Sequence, residues 1–290
     1  MVEGLVGLVS NAPSEAADVV GALIDHPKIR RINFTGSTSV GRIIALRAAA
    51  QIKPVLLELG GKAPLLVLDD ANLDEAVKAA AFGAFMNQGQ ICMSTERIVV
   101  TNAVADEFVR RFRDKVLTLK AANPSETGSA LGAVVDQQTV SRVLELVADA
   151  LDKGATLLVG GAPEGVIMPP HVVDHVTNMM EIYHKVSFGP VVAILRAADE
   201  EEAICLANDT QYGLSASVFT RDISRGLDIA RRIQSGICHI NGATVHDEAQ
   251  MPFGGMKGSG YGRFGGKAGV AEFTELRWIT VQTEPNHFPI

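Results

Sequence analysis

Short apolar segments alternate with amphipathic helical segments along most of this chain, and no other feature restricts its fold as much. "RRINFTG" (30–36), "KPVLLEL" (53–59) and "RIVVT" (97–101) are short, apolar and flanked by turn or polar residues, as strands are. "SVGRIIALRAAA" (39–50), "VADEFVRRFRDKVLTLKA" (104–121) and "TVSRVLELVADALDKG" (139–154) carry the helical period. Alternation of this kind builds a parallel sheet with helices on its faces, so the expected class is α/β. "TLLVG", "PVVAIL", "SASVFT" and "GICHIN" are expected as further strands, separated by helices around 199–207 and 222–234.

Several local features sharpen this outline. "GLVGLVS" (4–10) reads as a buried strand and "SEAADVVGALIDH" (14–26) as a helix that Ser14 caps. Leu73, Ala76, Val77, Ala80, Ala81, Ala84 and Phe85 fall on one helix face. Asn72 is placed to cap that helix, Glu75 to reach back in a capping box, and Gly89 to stop it. The glycine-rich stretch 252–266 reads as a long loop, and "ELRWITVQ" (275–282) as a last, edge strand that pairs elsewhere. Lys78, Arg110, Arg111 and Lys115 are expected on solvated helix faces.

With 290 residues, 47% of them hydrophobic, the chain can bury a large core in one big domain or two smaller ones. A net charge of −7 with no long basic block argues against a nucleic-acid surface. No apolar run approaches ~20 residues, so no membrane span is expected. No lysine or arginine precedes Lys28, which argues against a signal peptide and for a cytoplasmic location. Cys92, Cys205 and Cys238 show no CxxC spacing, which fits a reducing compartment.

Three constellations carry candidate chemistry. In "NFTGSTSVG" (33–41), Gly36, Ser37 and Thr38 sit between a strand and a helix start. A helix N-terminus offers unpaired donors and partial positive charge to a phosphate, although many strand-to-helix turns look the same. In "LLELGGKAP" (56–64), Glu58 ends an apolar strand, where open α/β folds bind ligands. Partial burial there would raise its pKa and suit it to general-base work; the plainer alternative is a surface glutamate. In "NQGQICMST" (87–95), Cys92 lies in a glycine-containing turn between helix and strand. It is a candidate nucleophile, with core packing as its alternative. Cys205 and Cys238, inside a helix and a strand, fit core packing.

"FTGSTxxG", "LELGGK" and "GQxC" in this order, with Cys92 standing 34 positions after Glu58, resemble the aldehyde dehydrogenase superfamily. "SFGPVVAI" (187–194), "NDTQYGLSASVFT" (208–220) and "PFGGMKGSGYGRFGG" (252–266) extend the resemblance over essentially the whole chain. "HINGATVHDEAQMPFGGMKGSGYGRFGGKAG" looks most like the branch that oxidises aromatic aldehydes such as vanillin, salicylaldehyde or benzaldehyde. The resemblance implies a partial Rossmann-type cofactor domain (1–60), an α/β thiol domain (61–268) and a C-terminal return strand (269–290). It implies oxidation of an aldehyde with NAD or NADP. Cys92 would form a thiohemiacetal and then a thioester, and Glu58 would activate the hydrolytic water. Ser37 and the Gly36 turn would meet the pyrophosphate, Thr38 and Gly41 would help bind the cofactor, Leu59 and Gly60 would lie near the nicotinamide, and Phe188 would pack beside its ribose. Asn241, His246 and Phe253 would help wall the substrate pocket. The last strand would join a neighbouring subunit in a homo-oligomer, a dimer or tetramer.

The chain also departs from the family pattern. Members carry a large N-terminal part ahead of the point where this sequence begins, with a Pro-Trp-Asn segment and a Lys-Pro-x-Glu segment that have no copy here. The expectation is an N-terminally truncated member with impaired turnover. In "YHKVSFGP" (183–190), Lys185 and Val186 stand where the family has glutamates. The one at 186 would accept from the nicotinamide ribose, and valine cannot accept a hydrogen bond. His171 and His175 have the spacing of a metal pair, but Pro169–Pro170 and the β-branched Val172–Val173 argue against the helix such a pair needs, so no metal site is expected. Gly254 to Gly266 lacks a P-loop arrangement. Two further functional classes stay open: a non-catalytic remnant or assembly partner, and a cofactor-free thiol esterase using Cys92 and Glu58.

Overall fold

The computed structural model describes residues 4–125 and 128–290. The first part of the chain builds a small unit. Helix α1 (Ala16–Asp25), strand β1 (Ile32–Thr35), helix α2 (Thr38–Ala50) and strand β2 (Val55–Glu58) follow one another. β1 and β2 pair in parallel, and Ile24, Ile44 and Ala48 form the buried centre beside them.

The larger unit alternates strands and helices as the sequence pattern requires. Its elements are β3 (Ala63–Val67), α3 (Leu73–Phe85), β4 (Thr95–Thr101), α4 (Asn102–Leu117), α5 (Gln137–Asp152), β5 (Thr156–Val159), β6 (His171–Asp174), α6 (Glu181–His184), β7 (Val191–Ala197), α7 (Glu200–Asn208), β8 (Ser215–Phe219), α8 (Ile223–Arg232) and β9 (Ile237–Ile240). The strands stand in the order β5-β6-β7-β4-β3-β8-β9, all neighbours parallel except β5 with β6. Alternate residues of each strand serve opposite faces. Leu65, Val67, Ile98 and Val100 pack with Ala80, Phe108 and Phe112 from α3 and α4. Leu66, Val99 and Val218 pack with Val143, Val147, Ala203 and Ile229 from α5, α7 and α8. Burial on both faces is why "PLLV" in β3 and "IVV" in β4 are apolar without alternation.

The chain then returns. β10 (Gly260–Tyr261), inside the glycine-rich stretch, pairs antiparallel with β2, and α9 (Gly266–Glu272) follows. Gly260, at φ +106°, lies so close to Leu57 that a Cβ would sit 2.0 Å from its carbonyl oxygen. The 252–266 stretch is therefore not loop throughout.

The structure corrects other expectations. Residues 4–10 form no strand; they pair with nothing among the described residues and Leu8 is 95% exposed. "ELRWITVQ" is extended but likewise unpaired, with Trp278 90% exposed. Strand propensity reports fitness for a half-buried pleated surface, and neither segment has one here. Ser14 caps nothing; it lies inside a 3₁₀ turn, Pro13–Glu15, in which the Glu15 carboxylate accepts from Ala12 N–H. At α3, Asn72 accepts from Glu75 N–H at 3.4 Å as expected, but the Glu75 carboxylate binds Lys78 at 2.7 Å instead of reaching back. β3 was hidden in "GGKAPLLVLDDAN", where Pro64 argues against a central strand. Cys205 is exposed on α7, which overturns core packing for it; Cys238 is half-buried against the core. Lys78, Arg110, Arg111 and Lys115 do lie on solvated helix faces.

Candidate active site

Cys92 owes its place to an unusual turn. After α3, Asn87, Gln88 and Gly89 all have positive φ, at 50°, 56° and 69°. Two consecutive non-glycine residues in that region store strain, which a fold keeps only where surrounding contacts fix it. Here they do. A Cβ on Gly89 would sit 2.2 Å from the Gly189 carbonyl oxygen, the Gln90 side chain accepts from Val135 N–H at 2.8 Å, and Ser94 Oγ accepts from Ile91 N–H at 3.2 Å. The Cys92 carbonyl packs on Gly61, where a Cβ would approach it to 2.3 Å.

Glu58 arrives from the other unit, as the last residue of β2. Its backbone is held on both sides: Gly36 N–H donates to the Glu58 carbonyl at 3.0 Å, and Leu59 N–H donates to the Ser259 carbonyl at 3.1 Å. Ser259 Oγ also donates to the Gly60 carbonyl at 2.7 Å. The Glu58 side chain is 3% exposed, and its Oε1 is buried with no hydrogen-bond partner. Burial raises its pKa, and its contact with the Cys92 thiol opposes that rise. The thiol in turn is pushed up to about 12, first by burial and then by the neighbouring Glu58 charge and hydrogen bond. The backbone N–H groups of Cys92 and Met93 work against that shift, because they favour a thiolate. The two acids thus hold at least one proton between them at neutral pH.

Both side chains line one cavity of about 540 Å³, with Thr35, Gly36, Ser37, Thr38, Leu59, Gly60, Arg142, Val186, Phe188 and Tyr212. α2 opens onto it. Ser37 Oγ accepts from Val40 N–H at 3.3 Å and so caps the helix, while Thr38 Oγ1 donates to the Gly258 carbonyl at 3.1 Å. Gly36 N–H is already spent on Glu58, so the remaining donors of that end belong to the first turn of α2. Phe188, with φ 46°, presents its ring to the cavity.

Not every expected residue is here. Gly41 lies inside α2 and does not line the cavity; a Cβ there would meet the Leu59 side chain at 2.6 Å, so it serves packing. Asn241 accepts from Thr220 N–H at 3.1 Å and lines no described cavity among those around the thiol. His246 and Phe253 line a separate cavity of about 380 Å³ with Cys238 and His239. A third space, about 390 Å³, touches Thr35 and Glu58 at one end and Phe253 at the other, so it bridges the first two. Lys185 turns to Glu181 at 2.7 Å and stays out of the cavity, whereas Val186 lines it. Sequence reasoning missed Thr35, Arg142 and Tyr212. Arg142 stood on an amphipathic helix with nothing to mark it, and only the fold carries it to Ser187. Among the described residues there is no cluster able to hold a metal ion, and His171 is buried with its ring against the Pro169 carbonyl.

A family model described as "Aldehyde dehydrogenase family" matches residues 3–279. The chain belongs to the aldehyde dehydrogenase family. A vanillin dehydrogenase of Pseudomonas fluorescens is 57% identical over 288 residues, covering 99% of this chain and 60% of that protein. The crystal structure of a salicylaldehyde dehydrogenase from Pseudomonas putida G7 in complex with salicylaldehyde matches with a TM-score of 0.94 at 50% identity, covering 97% of this chain and 58% of that one. An NADP-dependent glyceraldehyde-3-phosphate dehydrogenase from Bacillus halodurans, in complex with NADP, matches at a TM-score of 0.87 and 37% identity over 93% of this chain and 55% of that one. The chain spans about 60% of the length of the curated relatives it matches. Among the described residues, no helix is long and apolar enough to cross a membrane.

Proposed function

We propose that this aldehyde dehydrogenase family chain oxidises an aromatic aldehyde to its carboxylic acid with NAD or NADP. The observation that carries this reading is the Cys92–Glu58 pair, which lines one cavity together with the start of α2. Relatives named for vanillin and salicylaldehyde support the substrate class. Cys92 Sγ adds to the aldehyde carbon as Glu58 receives its proton, giving a thiohemiacetal. A bound nicotinamide would supply the hydride acceptor. Glu58, relieved of its proton, then takes one from the water that releases the acyl group from Cys92. The fit to a dinucleotide is uneven. The first turn of α2 with Ser37 and Thr38 suits a pyrophosphate, and Gly60 lines the same cavity, where a Cβ would meet Tyr212 at 3.6 Å and Val186 at 3.7 Å. Val186 offers nothing to a ribose hydroxyl. The division into 1–60, 61–268 and 269–290, and a homo-oligomer formed through the exposed Leu276, Trp278, Ile279 and Val281, belong to the same proposal.

The test is formation of reduced nicotinamide from benzaldehyde, vanillin and salicylaldehyde by the folded chain, with Cys92→Ser as control. Cys92-dependent reduction is expected. None from a folded chain would favour a second reading, a non-catalytic remnant or assembly partner, for which Val186 in the cavity wall is the specific support.

A further inference from the structure

Lys62 and Glu96 form a fully buried ion pair, 2.7 Å between Nζ and Oε2. Each stands four residues after one of the candidate catalytic groups: Lys62 after Glu58, Glu96 after Cys92. The pair also sits at an irregularity in the sheet. Ala63 faces Thr95 and Pro64 faces Arg97, so Glu96 is an extra residue in β4, a bulge. Bulges re-aim a side chain, and proline at 64 has no N–H to lose by it.

The re-aimed carboxylate is heavily used. Besides Lys62, it accepts from Ser187 N–H at 3.0 Å, Ser187 Oγ–H at 2.8 Å and Phe188 N–H at 3.2 Å. Lys62 Nζ donates in addition to the Lys185 carbonyl at 2.7 Å. Every one of these bonds beyond the pair itself goes to the segment 185–188. Arg142 closes on the same segment from outside, donating to the Ser187 carbonyl at 2.8 Å. That segment puts Val186 and Phe188 into the wall of the cavity, with Phe188 in the left-handed region where a bulky residue needs to be held.

We propose that Lys62 and Glu96 are positioning residues: through the β4 bulge they fix the Val186–Phe188 wall against the dinucleotide that the cavity takes. The idea rests on the cofactor reading above. A pair that only stabilised the core would be replaceable by apolar side chains without functional loss. A positioning pair is not, because leucine or methionine cannot accept from the Ser187 and Phe188 amides.

The experiment compares the unsubstituted chain with Glu96→Ala, which removes the acceptor, and, in case that variant folds poorly, the apolar double variant Lys62→Met/Glu96→Leu. Three quantities are read: hydrogen exchange of a peptide spanning 184–190, the dissociation constant for NADH and NADPH by fluorescence, and the alkylation rate of Cys92 by iodoacetamide at peptide level. The expected result in either folded variant is at least tenfold faster exchange at 187–188 with β7 unchanged. Nucleotide binding should be at least tenfold weaker, and Cys92 alkylation within about threefold of the unsubstituted rate. Unchanged exchange, unchanged binding, or a thiol rate that moves in step with binding would overturn the proposal and leave a merely structural pair. Failure of the unsubstituted chain to bind either nucleotide would overturn the cofactor reading itself, and this proposal with it.

Discussion

The two sheets of this molecule are built to different standards. The seven-stranded sheet is covered on both faces, and strands β3 and β4 are buried along their whole length. The three-stranded sheet has a small buried centre, and its helix α2 turns Ile43 and Leu46 to the surface, the latter 75% exposed. The candidate chemistry straddles the two. Cys92 is carried by the well-packed unit and Glu58 by the sparse one. A nucleophile wants a rigid seat, and here it has one; its base depends on a unit secured by few apolar contacts and by the returning stretch around Ser259.

The largest effect should come from breaking the pair across this boundary. Cys92→Ser is expected to lower aldehyde oxidation by at least about 10³-fold, measured as nicotinamide reduction, because the hydroxyl is a far weaker nucleophile. Glu58→Gln should slow acyl release by about 10²–10⁴-fold in a single-turnover assay. The same change removes the negative charge beside the thiol, which helps hold the thiol high, so the pH profile of Cys92 alkylation should move toward lower pH.

Much of the well-packed unit was legible in the sequence, and little of the boundary was. α3 followed directly from its apolar spacing and Asn72, and α2 from its strand-turn-helix start with Ser37, because helix signals are local. β3 was obscured by Pro64, opposite which β4 bulges. Segments 4–10 and 275–282 looked like strands because their composition is that of strands; whether a partner exists is not written in the segment. At the site, motifs singled out Glu58, Cys92, Ser37 and Phe188, and these four line one cavity. Gly41 lies outside the cavity lining and packs by Leu59, and the sequence alone does not show which neighbour a helix glycine makes room for. Arg142 and Tyr212 were missed because topology alone brings them there.

Stability measurements sharpen the contrast further. Phe112→Ala, in the core of the large sheet, should cost about 3–5 kcal/mol in chemical denaturation, whereas Ile44→Ala should cost about 2 kcal/mol, its neighbours being fewer and freer to relax. Glu58 adds a pH dependence of known sign. Its folded pKa is raised, so between the ordinary carboxylate range and that higher value the folded chain holds a proton that the unfolded chain has released. Stability should fall as pH rises through this window, and Glu58→Gln should flatten the fall in a series of melting curves. The smallest effect expected is Ser37→Ala, about 1 kcal/mol through loss of the α2 cap.

The bulge at Glu96 has a bearing on how the chain reaches its native state. β3 and β4 are parallel neighbours with no hairpin to set their alignment, and one extra residue must be accommodated between Ala63–Thr95 and Pro64–Arg97. A misaligned intermediate, slipped by a single residue, would point the Glu96 carboxylate away from Lys62 and strand two charges in the interior. The cost of leaving both charges unpaired in the interior thus disfavours a one-residue slip between β3 and β4.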